Sequence, residues 1–339
     1  MPISNGGKKL SDIASLVGCS VATVSNAING AGRMSDAMRE TILAKCAEHN
    51  FVPNSAGRSL RLQRTDAVGV IYAPSFAELF GNIFYARIME GLAETFGEAG
   101  VDIILGNRLE TDGLPTVVRQ GKVDALVVLA GVFNTKSYEG FRNCPVPLCI
   151  VDGHTDSLKA DSLTSDGFGG ARLAAEHLFE QGHRRVLMTA YRNSLYNIQQ
   201  RTSGFFAGLR GCGMTINEKD ALIEVDTDAE AAETIIALVE ENSPPTAIFA
   251  VNDTMAIHLI EALTKSGKKV PEDVSVIGFD DDAVASHYHP RLTTIRLGKR
   301  DFGAISARLI LERLADRDKP ITHMVLPTEL VIRETVARV

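Results

Sequence analysis

At 339 residues the chain is long enough for two or three domains, each with its own core. An apolar share of 45% is ordinary for a water-soluble protein, no apolar run approaches the ~20 residues that span a bilayer, and no charged-then-apolar leader opens the sequence, so a cytoplasmic location is expected. The net charge of −7 hides an asymmetry: residues 1–64 hold eight Lys/Arg against four acids, +4, which leaves −11 for the remainder. A basic end on an acidic body suits a protein that meets phosphates at that end alone, although solvated charged faces also produce such imbalances. The five cysteines are odd in number and lack a CxxC pair, and read as reduced structural thiols.

Residues 10–17 carry apolar positions at helical spacing with Asp12 in the first turn, where the helix dipole favours negative charge, and Gly18 permits the left-handed stop. Ser20 is a good N-cap for a second helix over 21–28, in which Val24 and Ile28 face inward while Ala22, Ser25, Asn26 and Asn29 face outward. Such a small, hydrogen-bonding face can approach base edges closely, and an Asn amide can pair with both N6 and N7 of adenine. Ser35-Asp36 caps a third helix to about His49, with Met38, Ile42, Leu43 and Cys46 on its core side. A ligand-free three-helix bundle is the alternative, since capped helices around a glycine turn also occur there.

After Arg64 short β-rich runs alternate with longer amphipathic ones. Residues 68–72, 101–105, 125–129 and 148–151 read as buried parallel strands, followed by a second series at 185–188, 221–225, 247–251 and 274–278 with helices near 167–181, 198–212, 228–242 and 253–266. Two such sets imply two doubly wound α/β lobes, with ligands bound beyond the carboxyl ends of facing strands. Asp152, Asn252-Asp253 and Asp280-Asp281-Asp282 end three strands with polar groups, and Arg201 follows the polar stretch 196–200. Converging on one cleft, they could hold the hydroxyls of a sugar-like molecule, with Arg201 free to take a carboxylate or phosphate. The bland alternative is helix capping, above all for Asp253.

The segments Asp12-Ile13-Ala14, Gly18-Cys19-Ser20, Thr23-Val24-Ser25, Ile28-Asn29-Gly30, Phe51-Val52-Pro53-Asn54 and Ala56-Gly57-Arg58-Ser59-Leu60 resemble the lactose/purine repressor (LacI/GalR) family of bacterial regulators, and the likeness continues through nearly all of the chain. The resemblance implies an all-α helix-turn-helix head over 1–53, a hinge helix over 54–64 and a periplasmic-binding-protein-like α/β body over 65–339. In that body, lobe 1 would be about 65–163 plus 292–319 and lobe 2 about 164–291 plus 320–339. It implies DNA contacts from Ser20, Val21, Ala22, Thr23, Ser25, Asn26 and Asn29 and from the hinge residues Asn54, Ala56, Gly57, Arg58 and Leu60, the last as a minor-groove wedge. Arg201-Thr202-Ser203-Gly204-Phe205, Val251-Asn252-Asp253 and Gly278-Phe279-Asp280 look like the family's effector segments. The implied effector contacts are therefore Phe84, Tyr85, Asp152, Asn197, Arg201, Asn252 and Asp280. The expected protein is a homodimeric repressor of a carbohydrate or related catabolic operon that binds a pseudo-palindromic operator. Its expected effector is a sugar, sugar acid or sugar phosphate, and no cofactor or metal is implied.

Three departures stand out. The helix between Asn107 and Val123 is about five residues short and contains Gly113 and Pro115. Gly57 replaces a usual alanine, costing roughly 0.5–1 kcal/mol of helix propensity. Lys9 stands where a capping Thr is common, so the first helix is expected to start at Ser11. Residues 330–339 alternate like a final strand without a leucine heptad, which places dimerisation in the lobes. A periplasmic-type solute-binding protein would share the body but need a signal peptide. A sugar-processing enzyme would need a phosphate loop, a nucleophile with its base or a metal-ligand spacing; none is present, and His287 and His289 beside Pro290 read as a turn.

Overall fold

A computed structural model of the protein describes residues 8–28, 30–51, 64–72, 79, 83–107, 113–130, 135–154, 156–192 and 195–339. The chain divides into one compact unit through Thr65 and another from Asp66 onward.

The first unit is built from α1 (Leu10–Val17), α2 (Val21–Ile28) and α3 (Asp36–Glu48). Helix α1 opens at Leu10 rather than Ser11, because the Asp12 carboxylate reaches back to accept the Lys9 N–H at 2.7 Å, satisfying an orphan donor without a capping Thr. Gly18, at φ 70°, ends it. Ser20 Oγ accepts from Thr23 N at 3.1 Å and Ser35 Oγ from Met38 N at 3.3 Å, so both expected caps are in place. Ile13, Ala14, Val24, Ala27, Ile42 and Cys46 form the buried core. Leu43, expected inside, is 44% exposed, since it lies one position beyond Ile42 on a helix that buries a single narrow stripe.

The second unit runs in order β1 (Ala67–Tyr72), α4 (Ile83–Glu98), β2 (Asp102–Asn107), α5 (Thr116–Arg119), β3 (Ala125–Leu129), a 3₁₀ turn (Thr135–Phe141), β4 (Leu148–Val151) and β5 (Asp161–Ser165). It continues with α6 (Gly167–Glu180), β6 (Val186–Tyr191), α7 (Tyr196–Gly211), α8 (Glu218–Ala221), β7 (Leu222–Val225), α9 (Asp228–Val239), β8 (Ala247–Ala250), α10 (Asp253–Lys265) and β9 (Ser275–Ile277). It closes with α11 (Ala283–His287), β10 (Thr294–Leu297), α12 (Lys299–Ala315), β11 (His323–Leu326) and β12 (Thr328–Val331). One parallel sheet has the order β11-β5-β4-β3-β1-β2, a second β7-β6-β8-β9, and β10 pairs antiparallel with β12. Parallel strands need helical crossovers, and these cover both faces. In the first lobe α4 and α12 approach so closely that a Cβ on Gly91 would meet Arg300 O at 2.1 Å and one on Gly303 would meet Ile88 O at 2.0 Å. Only glycine fits there.

The lobe boundaries differ from those expected at the crossings. Strand β11 extends the first lobe's sheet beside β5, whereas 320–339 was assigned wholly to the second lobe. Strand β10, assigned to the first lobe, pairs with β12, and its neighbours bridge to the end of β9 through Ile277–Thr293 and Asp280–Arg296. The chain thus crosses between lobes near Asp166, Gly298 and Pro327, and a 4-residue strand on either side carries too little pattern to reveal which sheet it joins. The short segment between Asn107 and Val123 contains the four-residue α5, entered at Pro115. The final strand stops at Val331. Beyond it the chain runs along β9, with Val276 N donating to Thr335 O at 2.8 Å and Ala337 N to Ser275 Oγ at 3.0 Å.

Candidate functional site

A cavity of about 300 Å³ opens at the carboxyl ends of strands from both lobes, within the range of small-molecule sites. Phe84, Tyr85 and Asp152 line it from the first lobe, and Asn197, Arg201, Asn252 and Asp280 from the second, so all seven residues expected at an effector cleft converge there. Tyr191, Leu195, Ile198, Val251, Thr254 and Asp282 complete the wall.

The site rests on an aromatic column. Phe205 of α7 stacks on Phe249 of β8 with centroids 4.9 Å apart, and Phe279 follows at 6.4 Å from Phe249. The Arg201 guanidinium lies over Phe279 at 3.9 Å from the ring centroid, held by cation–π attraction in a dry setting. Its Nη1 donates to Val251 O at 2.6 Å and its Nη2 to Asp280 Oδ1 at 2.9 Å, while Nε is buried without a partner. Sequence reasoning left Arg201 free for an anionic ligand; the fold commits one N–H of each terminal nitrogen to the protein.

The carboxylates differ in surroundings. Burial pushes Asp152 up to about 7 against the opposing pull of Arg201, with Asp280 adding to the rise. Burial likewise raises Asp280 to about 6 despite its contact with Arg201. Asp253 is fully buried and raised well above the carboxylate range by desolvation, then by Asp280. It does not cap α10: Asn252 does, its Oδ1 accepting from Met255 N at 2.8 Å. Asp253 instead accepts from Asp282 N at 2.7 Å and from Thr294 Oγ1, tying the 280–282 segment to β10. Burial also acts to raise Asp281, but hydrogen bonds from Arg296 and Arg333 outweigh it and hold Asp281 below its usual value. The Lys299 ammonium, at the start of α12, stands 2.8 Å from Asp282 Oδ1, although that oxygen accepts no well-aligned hydrogen bond. Three consecutive aspartates are therefore held by cations from different parts of the chain: Arg201, then Arg296 with Arg333, then Lys299. Asp152 at φ 60°, Asp280 at 116° and Asp281 at 51° adopt backbone conformations that cost about 1–3 kcal/mol each, and strain of this kind collects at ligand sites.

Sequence reasoning named Asp282 among the strand-end acids and missed Tyr191 and Lys299. Tyr191 ends β6 level with the other strand ends and its hydroxyl donates to Asp228 Oδ1 at 2.6 Å, so strand-end position was the available signal. Lys299 had none, being brought in by the crossover at Gly298. Asn197 lines the cavity, but its Oδ1 accepts from its neighbour Ile198 N at 2.9 Å, leaving the amide nitrogen for other partners.

In the first unit, Val21 is 47% exposed, which removes it from the core, and Ala22 is exposed beside it. Thr23, Ser25 and Asn26 are half-buried, and Ser20 is exposed with its hydroxyl at 2.8 Å from Thr23 Oγ1. The outward face of α2 is small and polar as expected. Asn29 and the hinge positions Asn54, Ala56, Gly57, Arg58 and Leu60 lie outside the described residues. No helix among the described residues is long and apolar enough to cross a membrane by itself.

The family model for bacterial regulatory proteins of the lacI family matches residues 9–54, and that for a periplasmic binding protein-like domain matches 175–336. The HTH-type transcriptional repressor PurR of Vibrio parahaemolyticus serotype O3:K6 is 30% identical over 340 residues, 97% of this chain and 98% of the relative. The lac repressor dimer bound to operator and the anti-inducer ONPF superposes with a TM-score of 0.83 at 25% identity, covering 98% of this chain and 99% of that one. A CelR–cellobiose complex gives a TM-score of 0.71 at 28% identity over 97% of this chain and 99% of that one. A LacI-family regulator from Enterococcus faecium with bound ribose gives 0.70 at 27% identity, covering 80% and 99%.

Proposed function

The chain belongs to the LacI family of bacterial regulatory proteins, DNA-binding transcriptional regulators rather than enzymes, and we propose that it represses a carbohydrate or related catabolic operon under control of a small hydroxyl-rich effector held between its lobes. The observation that carries this reading is the meeting of Asp152, Arg201, Asn252 and Asp280 in one cavity of a chain whose other unit presents an open, small-residue face on α2. Residues 1–53 form the head, 54–64 the hinge and 65–339 the effector body. Ser20, Val21, Ala22, Thr23, Ser25, Asn26 and Asn29 contact the major groove, and the hinge with Leu60 enters the minor groove. One head reads one half-site, so a two-fold operator calls for a homodimer joined through the bodies, in the cytoplasm and on the nucleoid when bound. Relatives support the sugar class: the neighbours named above hold cellobiose and ribose. Effector binding changes the balance between two arrangements of the lobes, and so the spacing of paired hinges.

Selection of duplexes from a random library with the full chain tests this. An inverted repeat footprinted on both half-sites is expected. Asn26→Ala then relaxes preference at one base position at a cost of roughly 1–3 kcal/mol, and Leu60→Ser weakens specific far more than non-specific binding. Enrichment of no sequence, or equal losses on all duplexes, would remove the reading.

A further inference from the structure

Resting on the reading of α2 as the helix that faces base edges, we propose that Gly32, which lies outside that helix, sets the base preference of the head by fixing the direction of the Asn26 amide. Helix α2 ends in a left-handed glycine cap. Gly30, at φ 66°, donates its N–H to Ala27 O at 3.4 Å and Ala31 N donates to Asn26 O at 2.9 Å, the pair of bonds that closes a Schellman motif. The chain turns left-handed a second time at Gly32, φ 77°, before Ser35 caps α3. That second turn brings Gly32 back against the Asn26 side chain. A Cβ on Gly32 would stand 2.9 Å from Asn26 Nδ2, 3.2 Å from its Cγ and 3.3 Å from its Cβ, and these are its three nearest neighbours.

The other left-handed glycines of the head differ. A Cβ on Gly18 would meet nothing within 4 Å, and one on Gly30 would come no closer than 3.7 Å, to Arg39 Nη1. Gly32 is exposed, so no core packing asks for a glycine there. Its left-handed backbone could be supplied by Asn, which adopts that conformation more readily than other side-chain-bearing residues. Its missing Cβ matters to Asn26. The Asn26 amide is half-buried and makes no hydrogen bond among the described residues, so packing alone sets its direction. Relief of the contact is cheap for the fold, because the amide ends a flexible side chain. It is not neutral for recognition: Cγ and Cβ are crowded as well, so turning the amide about its last bond leaves the clash and the side chain must change rotamer. An amide reads adenine only while its NH2 faces N7 and its oxygen faces the N6 amino group at once. Gly32 is thus a positioning residue, acting on specificity through Asn26 without touching a base.

The test uses the full chain and the inverted repeat selected from the random library. Affinities are measured at one salt concentration, since phosphate contacts make binding salt-dependent, for the selected duplex and for duplexes altered one position at a time. The proteins compared are wild type, Asn26→Ala, Gly32→Ala, Gly32→Asn, Gly30→Ala and the double variant Asn26→Ala with Gly32→Ala. Gly32→Ala should lose roughly tenfold in discrimination at the one position that Asn26→Ala relaxes, and keep it elsewhere. Gly32→Asn should do the same with less backbone strain, and keeps the test open if Gly32→Ala melts below the assay temperature. Gly30→Ala puts comparable strain into the same loop without touching Asn26, and should weaken all duplexes evenly or leave them unchanged. The double variant should discriminate no worse than Asn26→Ala alone, because both changes act through one side chain. Wild-type discrimination in Gly32→Ala and Gly32→Asn, at the position where Asn26→Ala has lost it, would overturn the proposal, as would an equal loss in Gly30→Ala. Unchanged preference in Asn26→Ala would remove the reading of Asn26 itself and this proposal with it, so the two failures are told apart.

Discussion

Two buried arginine–aspartate contacts of the body are built in opposite ways. At the amino end of the first lobe's sheet, Arg313 grips Asp161 as a fork, Nε to Oδ2 at 3.1 Å and Nη2 to Oδ1 at 2.7 Å. Thr322 N donates to the same carboxylate at 2.8 Å, and the remaining guanidinium donors reach the carbonyls of Lys319 and Pro320. All three guanidinium nitrogens and both carboxylate oxygens of the pair are used within the protein. At the cleft, Arg201 makes a single hydrogen bond to Asp280, keeps an orphan Nε and acts on the nearby Asp152 through its charge alone. The cavity beside Arg313 is the larger, about 430 Å³, yet its buried polar groups are already satisfied. Unmet hydrogen-bonding capacity, rather than cavity size or the presence of an arginine, separates a ligand site from a structural clasp.

The sharpest way to break this contrast is Arg313→Ala. It strands a buried carboxylate that also anchors Thr322 N, and should cost roughly 3–5 kcal/mol in urea unfolding; a loss under 1 kcal/mol would mean the fork is not structural. Arg201→Ala comes next, at roughly 1–3 kcal/mol, because Asp280 already sits near 6 and can take up a proton. Its main effect should be functional: operator affinity retained in gel shift, effector response abolished. Third, substituting the two aspartates should have effects of opposite sign at pH 8, Asp161→Asn destabilising and Asp152→Asn stabilising. The pH sense follows from linkage. The folded state holds the Asp152 and Asp280 protons more tightly than the unfolded chain. Their stabilisation is therefore complete below about pH 4 and lost as pH rises through about 6 and 7. Scanning calorimetry of Asp152→Asn from pH 4 to 8 should show a flatter decline than wild type. The smallest effect is expected at Lys299→Met, about 1–2 kcal/mol, since Asp282 loses its cation but the contact is poorly aligned and an apolar chain of similar length fills the site. A larger loss would place Lys299 with the clasps.

The sequence by itself determined the helices of the head, through Gly18 and the caps Ser20 and Ser35, and most of the buried strands, because a run such as 125–129 has no polar position to offer solvent. It also determined the cleft membership of Asp152, Asn252 and Asp280, since polar residues closing apolar parallel strands must lie at the carboxyl edge. What it left open lies where the outcome depends on a neighbour distant in the chain. Strand β5 reads Asp-Ser-Leu-Thr-Ser and is buried only because β11, some 160 residues later, covers its edge. Leu43 is apolar, yet its place on α3 leaves it in solvent. Arg201 announced a cation at the cleft, but whether that cation is free for a ligand was decided by Val251 O and Asp280, 50 and 79 residues away. The same holds for Lys299, which is led to Asp282 by the crossover between lobes. Periodicity and capping act within a few residues and are legible in order along the chain, whereas the pairing of charges is fixed only when tertiary packing excludes water and leaves each buried group the partners within its reach.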